Sequence, residues 1–322
     1  MKKFFKFVLV LSMISVVFAG CGSDTKSTAK TTQQTFINIA TGGTAGTYYP
    51  LGGALADILN KNIEGVNASA QSTGASVANI NLLKQGKVDI AFVQNDIAYY
   101  ASNGKEMFTD KKVPGLKGIA TLYPETIQIV TLADSGIKTV ADMKGKKVAV
   151  GAAGSGTEAN SRQILEANGL TYDDVDVQYL SFGEAASALK DGNVDAGFVT
   201  AGFPTAAIQD ISTQHDIVLV EVPVDTADKL IAKYPYYTKV VIPAKTYNNQ
   251  ENDVKAVAVK CMLVASDKMS EKLGYDVTKA LFTHLDRMKA AHASAKFISK
   301  ETAEDGMLVP LNAGSKKYLE SK

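Results

Sequence analysis

The sequence predicts an α/β protein built as two similar lobes facing each other across a cleft, and three observations carry that expectation. The run Leu83-Lys84-Gln85-Gly86-Lys87-Val88-Asp89-Ile90-Ala91-Phe92-Val93 recurs 106 positions later as Leu189-Lys190-Asp191-Gly192-Asn193-Val194-Asp195-Ala196-Gly197-Phe198-Val199, with seven residues identical. Residues 37–53 (INIATGGTAGTYYPLGG) and 148–157 (VAVGAAGSGT) share a plan of β-prone run, glycine and hydroxyl turn, then helix. Between these blocks, Ser72-Thr73-Gly74-Ala75 matches Ser181-Phe182-Gly183-Glu184 in the same order, which is the mark of an internal repeat. Finally, 322 residues with 46% hydrophobic side chains can bury a large core and suggest two domains of about 150 residues each.

The chain opens on Lys2, Lys3 and Lys6, a nearly unbroken apolar run at 7–18, and Phe18-Ala19-Gly20-Cys21. This is similar to a bacterial lipobox, giving a signal peptide at 1–20 and a thiol at Cys21 that carries diacylglycerol. A plain secretory signal or an uncleaved helix is the alternative, although the apolar run is shorter than the about 20 residues a spanning helix needs. Residues 21–35, polar and rich in Thr, Ser and Lys, read as a flexible tether.

In the first repeat a strand is expected at 36–40. Gly42, Gly43 and Gly46 then bend the backbone, and Thr41, Thr44 and Thr47 add hydroxyls at a helix start, where unpaired N–H groups favour a carboxylate or phosphate. Apolar residues 51, 54, 55, 58 and 59 predict a helix over 51–61. A strand at 67–71, a turn at 72–76, a helix ending at Gly86 and a strand at 88–93 follow. The second repeat gives strands at 147–150, 176–180 and 194–200, a helix at 158–168, a turn at 181–185 and a helix ending at Gly192. Alternating strands and helices imply parallel-cored lobes whose ligands sit beyond the carboxyl ends of the strands, where these turns fall.

The ligand-binding candidates are therefore Thr44, Gly46, Thr47, Tyr48, Ser72, Gly74, Ser76 and Gln94 from the first lobe. Gly154, Ser155, Gly156, Thr157, Phe182, Glu184 and Thr200 come from the second. Asn95 and Asp96 end the same strand as Gln94, and Asp96 suits a helix cap equally well; Glu184 suits a first-turn acid. Adjacent Tyr48 and Tyr49 cannot both face the cleft. Arg162 and Arg287 are the only arginines, Arg287 fitting a surface charge and Arg162 either the cleft or a surface ion pair, so amides and hydroxyls are expected to be the principal anion donors. The clusters Tyr99-Tyr100, Tyr234-Pro235-Tyr236-Tyr237 and Tyr247 fit packing or a partner surface.

A net charge of +1 argues against nucleic acid as a partner. His215, His284 and His292 show no ligand spacing, no EF-type loop suggests calcium, and neither a metal nor a cofactor is expected. With Cys21 lipidated, Cys261 has no disulfide partner. No catalytic residues are assigned: the glycine turns lack a Walker Lys-Ser/Thr and a GxGxxG order, and Ser155 sits in no GxSxG elbow. A phosphate-handling enzyme stays open as a rival class because the turns are anion cradles.

Residues 39–53, 83–93, 151–157 and 195–204, with Gly306-Met307-Leu308-Val309-Pro310-Leu311-Asn312-Ala313-Gly314, together resemble the TAXI family of TRAP-transporter solute receptors over 36–318. The resemblance implies a two-lobed type II periplasmic binding protein-like fold, with mixed, mainly parallel sheets and crossing hinge strands near 126–132 and 257–264. Lobe 1 would be 36–128 and 263–322, and lobe 2 would be 129–262. It further implies a non-enzymatic receptor, lipid-anchored outside the bacterial cell membrane, that clamps a small organic anion or amino acid, glutamate-like or a dicarboxylate, for a TRAP permease. An ABC-type or sensory substrate-binding lipoprotein shares the fold and differs in its membrane partner.

Overall fold

The computed structural model describes residues 34–321, so the expected signal peptide, Cys21 and all but the end of the tether lie outside the described residues. The first repeat folds as β1 (Thr35–Ala40), α1 (Tyr48–Asn62), β2 (Val66–Gln71), α2 (Ser76–Lys84) and β3 (Ile90–Gln94). Helix α3 (Asn95–Asn103) and the long strand β4 (Leu116–Leu132) lead to the second repeat. That repeat is β5 (Lys147–Ala149), α4 (Gly156–Ala167), β6 (Asp176–Gln178), α5 (Phe182–Lys190) and β7 (Ala196–Ala201). The chain continues through α6 (Ala206–Ser212), β8 (Ile217–Leu219), α7 (Val224–Lys233), β9 (Thr238–Ile242) and β10 (Val254–Ser266). It closes with α8 (Glu271–Thr283), α9 (Leu285–Ala291) and α10 (Ala313–Leu319).

The strands run β2-β1-β3-β10-β4-β7-β5-β6, with β8 on β4 and β9 on β10. β1 is parallel to β2 and β3, and β5 is parallel to β6 and β7, so the sequence repeat is a repeat of two three-stranded parallel units. Its shared residues have a shared structural role. Gly86 and Gly192 end their helices at φ 68° and 70°, a conformation that disfavours any side chain. Asp89 accepts from the Asn38 amide at 2.8 Å, and Asp195 accepts from the Lys147 amide at 2.8 Å. Each aspartate thus stitches the start of a third strand to a first strand.

Strand side chains alternate between two apolar layers: Ile90 and Phe92 pack with Ile39 and Leu55, while Ala91 and Val93 pack with Ile80 and Ile97. Burial on both faces is why these strands read as continuous apolar runs. The second half of the sheet is covered likewise, with Val148 and Phe198 in one layer and Ala149 and Val199 in the other.

The antiparallel pair β4 and β10 joins the two halves. Thr126 pairs with Ala258 of β10 and also with Ala201 of β7, which marks where β4 passes from one half to the other. Both crossing strands are longer than expected, at 17 and 13 residues. Proline is unusual inside a central strand; Pro124 is accommodated in the first opposite Lys260, beside a register shift between Lys260 and Met262. No helix among the described residues is long and apolar enough to cross a membrane.

Helix α10 meets α8 at backbone contact: a Cβ on Gly314 would lie 1.8 Å from the Glu271 carbonyl oxygen and 2.5 Å from the Tyr275 nitrogen. Gly314→Ala is expected to cost about 2 kcal/mol of stability through overpacking, read as a lowered urea midpoint.

Candidate functional site

Four helix N-termini, those of α1, α2, α4 and α5, converge on one cleft of about 560 Å³, its open mouth included. From the first half of the sheet come Gly42, Gly43, Gly46, Thr47 and Tyr48, then Thr73, Gly74, Ala75 and Ser76, with Gln94 and Glu125. The second half supplies Ala152, Ser155, Gly156 and Thr157, then Ser181 and Phe182, with Thr200 and Ala201. The jaws touch. The Val77 and Ala78 amides both donate to the Gly154 carbonyl at 3.1 Å, and Thr47 Oγ1 donates to the Gly202 carbonyl at 3.1 Å.

Eleven of the fifteen sequence-predicted residues line this cleft: Gly46, Thr47, Tyr48, Gly74, Ser76, Gln94, Ser155, Gly156, Thr157, Phe182 and Thr200. Four fall outside the lining, and each for a local reason. Thr44 is exposed on the outer side of its turn. Ser72 is exposed and gives its hydroxyl to the Gly42 carbonyl at 3.0 Å. Gly154, also exposed, serves the opposite jaw through its carbonyl. Glu184 folds back on Ser181 Oγ and N, at 2.7 and 2.8 Å, in a capping box that holds its carboxyl below the usual range through those hydrogen bonds.

Several hydroxyls expected to meet a ligand are already engaged. Ser155 caps α4 by accepting from the Glu158 amide at 3.2 Å, Ser76 Oγ accepts from the Gln94 amide at 3.1 Å, and Thr200 donates to Asn160 at 3.1 Å. Tyr48 is the cleft tyrosine and Tyr49 points to solvent. Arg162 pairs with Glu106 at 2.9 Å and Glu166 at 3.3 Å, away from the cleft, and Arg287 pairs with Asp57 at 2.8 Å. Among the described residues, no lysine, arginine or histidine lines the cleft.

Glu125 was not foreseen. It is the one acid within residues 111–133, buried at 1% exposure, and its Oε1 accepts from Tyr48 Oη at 2.6 Å. Burial pushes its carboxyl up to about 8, against the pull of the Tyr48 hydrogen bond. Beside the cleft, Asn160 is the hub of a buried network spanning both jaws. It accepts from Gln94 Nε2 at 3.1 Å, and donates to Asp96 Oδ2 at 3.0 Å and to Tyr237 Oη at 2.9 Å. Tyr237 Oη donates to Gln163 Oε1 at 2.6 Å, and Gln163 Nε2 donates to Tyr100, itself bonded to Tyr236. Most of the tyrosine clusters are therefore packing across the jaws, while Asn95 turns behind the cleft to the Lys260 amide at 3.0 Å. Burial pushes the Asp96 carboxyl up to about 7.

Two repeat-built jaws on one sheet, joined by two crossing strands and enclosing a cleft, define a two-lobed periplasmic binding protein-like α/β fold. The chain belongs to the NMT1-like family, whose model matches residues 39–322. It is 35% identical over 91 residues to a putative aliphatic sulfonates-binding protein of Escherichia coli, a match covering 28% of this chain and 28% of that relative. The fold is similar to the crystal structure of the periplasmic aliphatic sulphonate binding protein of Escherichia coli, at TM-score 0.50 and 20% identity, over 88% of this chain and 82% of that one. It is also similar to a Prochlorococcus marinus protein, PhnD1, solved in complex with methylphosphonate, at TM-score 0.55 and 11% identity over 82% and 91% of the two chains.

Proposed function

We propose that this chain is the extracytoplasmic solute-binding component of a membrane transporter, holding a small oxyanion-bearing solute between its lobes. The observation that carries this reading is the convergence of helix N-termini on a cleft without a cationic side chain among the described residues, which leaves first-turn amides of α1, α4 and α5 to meet the anion, those of α2 being engaged by Gly154. The sulfonate- and phosphonate-binding relatives support an oxyanion, with carboxylates among the candidates. The family match and the sulfonate-binding relative support an ABC-type membrane partner over the TRAP permease that the sequence resemblance implied. Their names are those of binding proteins, which supports a non-enzymatic role over phosphate chemistry. Lipid anchoring through Cys21 and a lobe division near Thr126 and Ala258 belong to the same proposal.

The clamp works by closure: solute docks on one lobe, and the other swings in on the crossing strands to complete the contacts seen between the jaws. Native mass spectrometry of the freshly purified protein is expected to show a retained small molecule. Stripping it should raise the radius of gyration in solution scattering, and re-adding it should lower it; an unchanged radius would remove the clamp. Uptake in vesicles that stops without ATP but survives collapse of ion gradients is expected for the ABC-type partner, and the reverse pattern restores the TRAP reading.

A further inference from the structure

The floor of the cleft carries a buried carboxyl, and beside it a buried amide oxygen without a donor. Glu125 carries a buried carboxyl whose Oε1 has the Tyr48 phenol as its partner, and among the described residues no cationic side chain lines the cavity around it. Beside it, Gln94 Oε1 is buried without a hydrogen-bond partner, its amide nitrogen being committed to Asn160. An unmatched buried acceptor is costly, so a cleft that leaves Gln94 Oε1 unpaired beside the Glu125 carboxyl gains from a ligand that brings donors. The opposite requirement holds at the turns, where the first-turn amides of α1 and α4 favour negative charge. The site is therefore polarised, acceptor-rich at its floor and donor-rich at its jaws.

Building on the solute-binding reading above, we propose that Glu125 is the specificity-determining residue of the cleft and selects zwitterionic solutes. Their protonated nitrogen sits on Glu125, and their oxyanion lies at the helix N-termini. An ammonium beside Glu125 lets its carboxyl ionise and gain a counter-charge, which a second oxyanion does not offer, so dicarboxylates and simple alkanesulfonates are the weaker ligands. Burial that holds the carboxyl up to about 8 in the empty site agrees with a group lacking its counter-charge.

Calorimetry on ligand-stripped protein tests this with matched pairs that differ only in the amine: taurine and ethanesulfonate, 2-aminoethylphosphonate and ethylphosphonate, L-glutamate and glutarate. In each pair that binds, the amine-bearing member is expected to bind at least tenfold more tightly, and Glu125→Gln is expected to reduce that preference to within about threefold. Equal or tighter binding of the amine-free member overturns the inference while leaving the solute-binding reading intact, as does a preference that survives Glu125→Gln. The wild-type comparison decides even where the variant does not fold. Should none of the six bind, the molecule retained in native mass spectrometry decides: a basic nitrogen supports the inference, and a nitrogen-free ligand overturns it. No binding and no retained molecule overturns the solute-binding reading, and this inference falls with it.

Discussion

Replacing Gly156 with alanine is expected to weaken solute binding by roughly 10- to 100-fold, the equivalent of the about 1–3 kcal/mol that overpacking a closed interface costs. A Cβ there would lie 1.7 Å from Gln94 Oε1, 2.5 Å from Gln94 Cδ and 3.0 Å from Ile97 Cγ1, so the first residue of α4 meets the opposite jaw with no room for a methyl group. Gln94 can withdraw only by giving up Asn160, which would leave that hub short of a donor. The clash exists only with the jaws together, so the variant is expected to fold normally and to stay expanded in scattering at ligand concentrations that close the wild type. Gly53→Ala is the matched control: it lies in α1, its Cβ would meet nothing within 4 Å, and a gain of up to about 1 kcal/mol in stability with unchanged affinity is expected. Affinity for the retained ligand within threefold of wild type in Gly156→Ala would show that the jaws do not need this contact.

The lobes were legible because the repeat is written in residues that have one local solution. A glycine at positive φ ending a helix, followed by an aspartate that bonds the neighbouring strand, leaves the same trace at Gly86 and Asp89 as at Gly192 and Asp195. Strand-turn-helix order then placed the turns at one edge, and most predicted cleft residues follow from that. What the sequence concealed is long-range pairing. Ser72 and Gly154 belong to the right turns, yet their polar groups are consumed by Gly42 and by the α2 amides, partners fixed only when the chain has folded. Glu125 sits between Pro124 and Thr126, just before the crossing strand expected near 126–132, and nothing local says that an acid there faces a cavity. The Asn160 hub was invisible for the same reason, since its partners Gln94, Asp96 and Tyr237 come from segments 64 to 77 positions away.

The ligand-free protein is expected to lose about 3 kcal/mol of stability between about pH 6.5 and pH 8.5, seen as a Tm lower by roughly 5–10 °C at the alkaline end. Asp96 and Glu125 titrate near 3.8 and 4.5 in an unfolded chain, but burial raises them to about 7 and about 8 in the fold. Between those limits the folded state holds protons that the unfolded state has released. Their contribution is therefore complete below the unfolded values and disappears as pH rises through the folded ones. Groups moved the other way act at lower pH. The carboxyls of Asp57, Asp142 and Asp174 are held down by hydrogen bonds, and burial holds the His292 imidazole below its ordinary 6.5, so the buried acids dominate the chosen interval. Asp96→Asn keeps the shape while removing one titration, and its melting curve is expected to flatten across the interval relative to wild type. Asn160→Ala strips the donor from Asp96 Oδ2 and the acceptor from Gln94 and Thr200, and is expected to cost roughly 2–4 kcal/mol near pH 7. A Tm that rises from pH 6.5 to 8.5 would mean that neither acid is held protonated, and that the polar hub between the jaws is wetter than its burial implies.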